Sequence, residues 1–151
     1  MVNFSDLISN DNDVFRSFAF WSTVLLVKVL AMAPLTARQR FRKMVFANEE
    51  DAKGLKGKVK LDDPNVERVR RAHLNDLENV FPFILVAFLY VLTNPDAWLA
   101  TNLFRIAVIA RIVHTIVYAV VVVPQPARGL SWFVCYGATL FMAFRTIVFF
   151  L

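Results

Sequence analysis

Arg71, Asn75 and Glu78 follow one another at intervals of four and three residues, and Arg111, His114 and Tyr118 at three and four. Either spacing puts three side chains on one face of a helix with 3.6 residues per turn. Arg68 shares the first face, and Arg128 follows a short way after the second set. Together these groups offer several cationic and hydrogen-bonding donors against a single carboxylate. Glu78 can neutralise Arg71 or Arg111, which leaves the other arginines uncompensated. Guanidinium groups hold carboxylates through paired hydrogen bonds. A small peptide with two carboxylates and one ammonium would therefore balance the set, with Glu78 taking the ammonium. If that ligand carries a thiol, a nearby arginine and a tyrosine hydroxyl favour the thiolate. A free thiol of pKa about 8.5 is only a few per cent ionised at neutral pH, and a shift of about two units raises that fraction more than tenfold. The residues by themselves support an anionic ligand and do not name the thiol.

The elements that must position these groups are long and oily. Of 151 residues 58% are hydrophobic and only four are glycine, an apolar share above the roughly 45–50% of a soluble domain. The apolar residues collect into four runs, predicting helices over about 15–37, 66–93, 97–123 and 130–151 with a basic connection at 38–65. At about 1.5 Å per residue, such helices cross a hydrocarbon core of about 30 Å. The predicted fold is an all-α integral membrane bundle of four transmembrane helices, one domain over 1–151. The second helix is polar in its first half and oily in its second, running on from Asp62-Asp63-Pro64, a helix-start signal. Asn94-Pro95-Asp96 is a turn, Trp98 suits an interfacial belt, Pro124-Gln125-Pro126 stops the third helix, and Pro34 kinks the first near its end. Lys28 can snorkel, point into the bundle or face a cleft, and snorkelling is the common fate of a long-stemmed lysine.

Charge and cysteine usage exclude other classes. The single cysteine, Cys135, rules out an intrachain disulfide, and the two histidines are too far apart for a zinc motif, so no metal is expected. Eleven of the 17 Lys and Arg lie between Arg38 and Arg71, beside hydrophobic spans, where positive charge sets membrane orientation rather than binding nucleic acid. The basic connection and the Arg128 loop are therefore expected in the cytosol, with both termini opposite. This brings Arg71, Asn75 and Glu78 to the same depth as Arg111, His114 and Tyr118. The basic connection is too charged to bury a core of its own and is expected to be mobile. Residues 1–13 lack the basic start and cleavage site of a signal peptide. Trp21, Trp132, Met142 and the Phe149-Phe150 end read as lipid contacts or helix packing; Arg105 and Arg145 carry no assigned role.

The run Glu67-Arg68-Val69-Arg70-Arg71-Ala72-His73-Leu74-Asn75-Asp76-Leu77-Glu78-Asn79 resembles the signature of the membrane-associated proteins in eicosanoid and glutathione metabolism, the MAPEG family. Val45-Phe46-Ala47-Asn48-Glu49-Glu50-Asp51 is similar to that family's first-loop motif. Ala110-Arg111-Ile112-Val113-His114-Thr115 and Pro124-Gln125-Pro126-Ala127-Arg128-Gly129-Leu130 resemble its microsomal glutathione transferase branch, type one. The resemblance implies a homotrimer of four-helix subunits that binds glutathione, the co-substrate, between neighbouring subunits on the cytosolic side. By motif position, Arg71, Asn75, Glu78, His114, Tyr118 and Arg128 would hold glutathione, Arg111 would support the site, and Arg40 would reach in from the adjacent subunit. Arg128 is the expected catalytic residue facing sulfur, with Tyr118 second, and His73 is structural. The implied activity joins glutathione to hydrophobic electrophiles arriving through the bilayer, with reduction of lipid hydroperoxides beside it. The implied location is the endoplasmic reticulum membrane, with the mitochondrial outer membrane as a second. Two readings compete: a glutathione-dependent isomerase like prostaglandin E synthase, and a non-catalytic lipid-binding scaffold. The isomerase branch typically carries Arg-Ser where Arg128-Gly129 stands and a further arginine where Leu74 stands, and both departures disfavour it.

Overall fold

A computed structural model describes residues 3–151. A short helix α1 (Phe4–Leu7) leads into α2 (Asp13–Leu30) and α3 (Met32–Lys43), then β1 (Val45–Phe46), α4 (Glu49–Gly54) and β2 (Lys58–Val59). The long helices α5 (Pro64–Val91), α6 (Ala97–Thr115) and α7 (Ala127–Phe150) follow, with a π-helical segment, Ile116–Val120, continuing α6. Four helical stretches are long and apolar enough to cross a membrane: Asp13–Lys43, Pro64–Val91, Ala97–Val120 and Ala127–Phe150. The chain is thus a mostly helical four-span membrane bundle. Helices suit that setting because each satisfies its own backbone hydrogen bonds away from water.

Burial is distributed as a lipid solvent dictates. Ala72, Ala87, Ala100, Ala107 and Ala110 lie between helices, whereas Leu85, Leu89, Ile106, Ile109, Phe133, Phe144 and Ile147 face outward. Hydrocarbon chains are as apolar as leucine, so helices associate through close backbone approach, which small residues allow. Phe83, Phe104 and Met142 fill the gaps that remain between α5, α6 and α7, and none of the three is exposed. Phe18 of α2 closes that core against Phe88 and Phe104, with ring centroids 5.8 and 6.0 Å away.

Caps set the helix starts. Asp63 accepts hydrogen bonds from the backbone N–H of Asn65 and Val66 at 3.0 and 3.3 Å, with Pro64 at the first helical position. Asp96 does the same for Leu99 at 2.8 Å. The first span is interrupted at Ala31, one turn before Pro34, whose missing N–H cannot reach the Leu30 carbonyl. Residues 38–43, placed at sequence level in the basic connection, complete α3.

The remainder of that connection has a small core after all. Val45, Phe46 and Ala52 are 7%, 5% and 4% exposed. β1 and β2 pair in parallel, and Phe41 meets the Phe46 ring edge-on at 5.7 Å. A methyl group on Gly57 would fall 2.5 Å from that ring, so the turn closes only around a glycine. Three side chains suffice here because the helix end supplies the other wall.

Candidate functional site

Where α5, the end of α6 and the start of α7 converge, they leave a cleft of about 370 Å³. Arg71, Leu74, Asn75 and Glu78 of α5 form one wall. His114 and Tyr118 form the second, and Arg128, Gly129 and Trp132 the third. Arg71 and Glu78 are exposed, Asn75, Tyr118 and Arg128 half-buried, and His114 buried.

Local structure explains each position. Pro82 has no N–H, so the backbone bond to the carbonyl of Glu78 is missing where the polar half of α5 gives way to the oily half. The π-helical segment, closed by Val121 N–H donating to the Ile116 carbonyl at 2.8 Å, carries Tyr118. Such segments inside α-helices recur at functional sites. Tyr118 stands edge-on to His114 at 5.5 Å. The Arg128 guanidinium lies over the Tyr118 ring, 4.5 Å from its centroid. Arg128 is the second residue of α7, and a cation there opposes the helix dipole. Its position adds to the positive potential of the helix start and aims both at the cleft. Gln125 Oε1 accepts from the backbone N–H of Gly129 at 3.1 Å and caps that start.

Behind the cleft lies a second polar cluster. Arg111 is fully buried and donates from Nη2 to Asn75 Oδ1 at 3.1 Å and to Asp76 Oδ1. Lys28 forms an ion pair with the same carboxylate, and Thr115 Oγ1 donates to Asp76 Oδ2 at 3.5 Å. One carboxylate thus joins α2, α5 and α6, and the cluster holds two cations against one anion. Removing one member of a buried, hydrogen-bonded pair costs about 3–5 kcal/mol.

Six of the eight residues expected to hold the ligand therefore line one cleft: Arg71, Asn75, Glu78, His114, Tyr118 and Arg128. Arg111 does not line it; it holds Asn75 from behind. Arg40 stands half-buried on α3 and does not line the cleft. Arg68, assigned above to the face of Arg71 and Glu78, lines a separate cavity instead, because it lies at the edge of the face that packs toward α3. Glu78 is not the partner of Arg111, since Asp76 takes that role. Lys28 does not snorkel, because the buried Asp76 is within reach and only 10% of the lysine side chain is exposed. Trp132, read as a lipid or packing residue, lines the cleft, as does Leu74. Sequence reasoning missed Asp76 as a structural anchor, yet a signal was there. Val69, Ala72, Val80 and Phe83 are the buried face of α5, and Asp76 sits in the middle of their three-and-four spacing. Among the described residues no group of His, Cys, Asp and Glu is arranged to hold a metal.

Comparison with known proteins gives a consistent result. Microsomal glutathione S-transferase 1 of Mus musculus is 50% identical over 142 residues, covering 91% of each chain. The protein of that name from Homo sapiens is 49% identical over the same length, again 91% of each. Prostaglandin E synthase of Rattus norvegicus is 36% identical over 138 residues, 89% of this chain and 90% of the relative. The MAPEG family matches residues 18–148, from within α2 to near the end of α7. On that match and those identities, the chain belongs to the MAPEG family.

Proposed function

We propose that the cleft binds glutathione and presents its sulfur as a thiolate to hydrophobic electrophiles dissolved in the bilayer. The protein is a glutathione transferase. The observation that carries this reading is the convergence of Arg71, Asn75, Glu78, His114, Tyr118 and Arg128 on one cleft of about 370 Å³, a size suited to a tripeptide. Arg71 binds a glutathione carboxylate and Glu78 its ammonium. Arg128, backed by the Tyr118 ring and the start of α7, stabilises the thiolate. The thiol gives its proton to solvent, sulfur attacks the electrophilic carbon, and the leaving group departs with its bonding pair. Arg128 and Tyr118 are thus the catalytic residues of this reading, and Arg111 acts through Asn75.

The quaternary reading is the one the family resemblance implies, a homotrimer. The cleft is open on one side, and Arg40 of an adjacent subunit in a homotrimer would close it. The positive charge of the basic connection supports a cytosolic cleft, and the family resemblance supports the endoplasmic reticulum membrane, with the mitochondrial outer membrane as a second location. The thiolate that attacks an electrophile also attacks a lipid hydroperoxide, giving an alcohol and, with a second glutathione, the disulfide and water.

Two residues of the cleft wall favour transfer over isomerisation. Leu74 and Gly129 both line the cleft, at the positions where the prostaglandin E synthase branch typically carries arginine and serine. The test is conjugation of 1-chloro-2,4-dinitrobenzene by purified protein with glutathione. Adduct formation supports the transferase, and intact glutathione binding without adduct points to an isomerase or a scaffold.

A further inference from the structure

At the end of the first span three cations converge with no acid between them. Arg42 and Lys43 of α3, together with Arg68 of α5, line a cavity of about 210 Å³ whose apolar wall includes Val120 and Val122. It shares no lining residue with the glutathione cleft. The acids near it in sequence are engaged elsewhere: Asp63 caps α5, and Glu67 binds Arg70 at 2.7 Å. Among the described residues, none of the three cations takes part in an ion pair. The Nε of Arg68 is buried and has no hydrogen-bond partner. Burying a guanidinium N–H without an acceptor is unfavourable, and an oxyanion in the cavity would supply the acceptor together with the missing negative charge.

The surroundings distinguish a lipid phosphate from a soluble one. Val120, Val121 and Val122 are 53%, 59% and 59% exposed, a bare apolar strip beside the cationic cavity. The cavity also lies where the membrane-spanning stretch ends at Lys43, the level of lipid headgroups. A soluble anion would use the cations and leave the valine strip idle.

We propose that this cavity is a binding site for the phosphate of an anionic phospholipid, with the glycerol end of an acyl chain against Val120–Val122. The site is independent of the glutathione cleft and stands whether or not the transferase reading does.

The test is native mass spectrometry of the detergent-purified protein titrated with dioctanoyl phosphatidic acid, dioctanoyl phosphatidylcholine or inorganic phosphate. Wild-type protein is expected to retain the phosphatidic acid in preference to the other two, and excess glutathione should not displace it. The double variant Arg42→Gln/Arg68→Gln should lose about thirtyfold in affinity, at roughly fivefold per cation removed. Lys43→Gln, exposed at the rim, should lose about fivefold and serves if the double variant does not fold. Equal retention by wild type and variants would overturn the proposal, as would displacement by glutathione. Retention of inorganic phosphate as strong as that of the lipid would overturn the assignment to a phospholipid.

Discussion

Asn75 and Asp76 are neighbours in the chain and serve opposite environments. Asn75 lines the open cleft with Arg71 and Glu78, while Asp76 is fully buried between Lys28 and Arg111. In the cleft, Arg71 and Glu78 are exposed and neither is in an ion pair among the described residues, so their charge is available to a ligand. In the buried cluster every charge is committed to another helix. Arg111 links the two through its hydrogen bond to Asn75. Charge that is paired inside the bundle holds helices together, and charge left open at its edge is what a substrate can meet.

The largest effect expected from breaking this contrast is at Asp76. Asp76→Ala leaves two buried cations without a counter-ion, and stability should fall by about 3–5 kcal/mol. Thermal unfolding in detergent should show a large drop with glutathione affinity reduced alongside; an unchanged midpoint would mean the cluster does not hold the helices. Next comes Arg128→Ala. It should lower kcat by roughly 10²–10³-fold, the loss seen when one donor to a developing anion is removed, lower glutathione affinity much less, and leave the unfolding midpoint nearly unchanged. Equal losses in turnover and affinity would show that Arg128 anchors the ligand without activating sulfur.

The thiolate offers a pH readout of the same residue. Because bound thiolate is favoured in the wild type, its rate should already be near its plateau at neutral pH. The Arg128→Ala rate should instead keep rising toward the free-thiol pKa of about 8.5. Superimposable pH profiles would remove the electrostatic role. Smaller still is Glu78→Gln, which keeps the shape but loses a charge-assisted bond worth about 1.5–3 kcal/mol. Glutathione affinity measured by calorimetry should fall about ten- to a hundredfold while stability holds, the reverse of the Asp76 outcome.

Much of the fold was legible because a bilayer restricts the choices. Long apolar runs, broken by the basic connection, Asn94-Pro95-Asp96 and Pro124-Gln125-Pro126, read as spanning helices, and the structure has four helices long and apolar enough to span. The faces of α5 and of α6 with its continuation were readable from spacing, so five cleft residues could be named from it, and Arg128 from its place just after the third span. Illegible were the partners. Whether Lys28 snorkels or turns inward depends on which helix lies beside it, and nothing local in α2 encodes the position of Asp76. Arg68 was misplaced for a similar reason: a helical wheel gives an angle, and only the neighbouring α3 decides which cavity lies at that angle. The fold of residues 45–59 was missed because its composition is dominated by charge, while its small core depends on Phe41 from the preceding helix.

The sequence alone thus determined the number of spans, the polar faces of two of them, and the residue types offered to an anionic ligand. These follow from hydropathy and helical periodicity, which are properties of consecutive residues. The tertiary structure decided which charges are paired and which stay free. Ion pairing depends on distances of a few ångströms between helices that lie 36 to 48 residues apart in the chain, as for Asn75–Arg111 and Lys28–Asp76, and no local pattern fixes those distances.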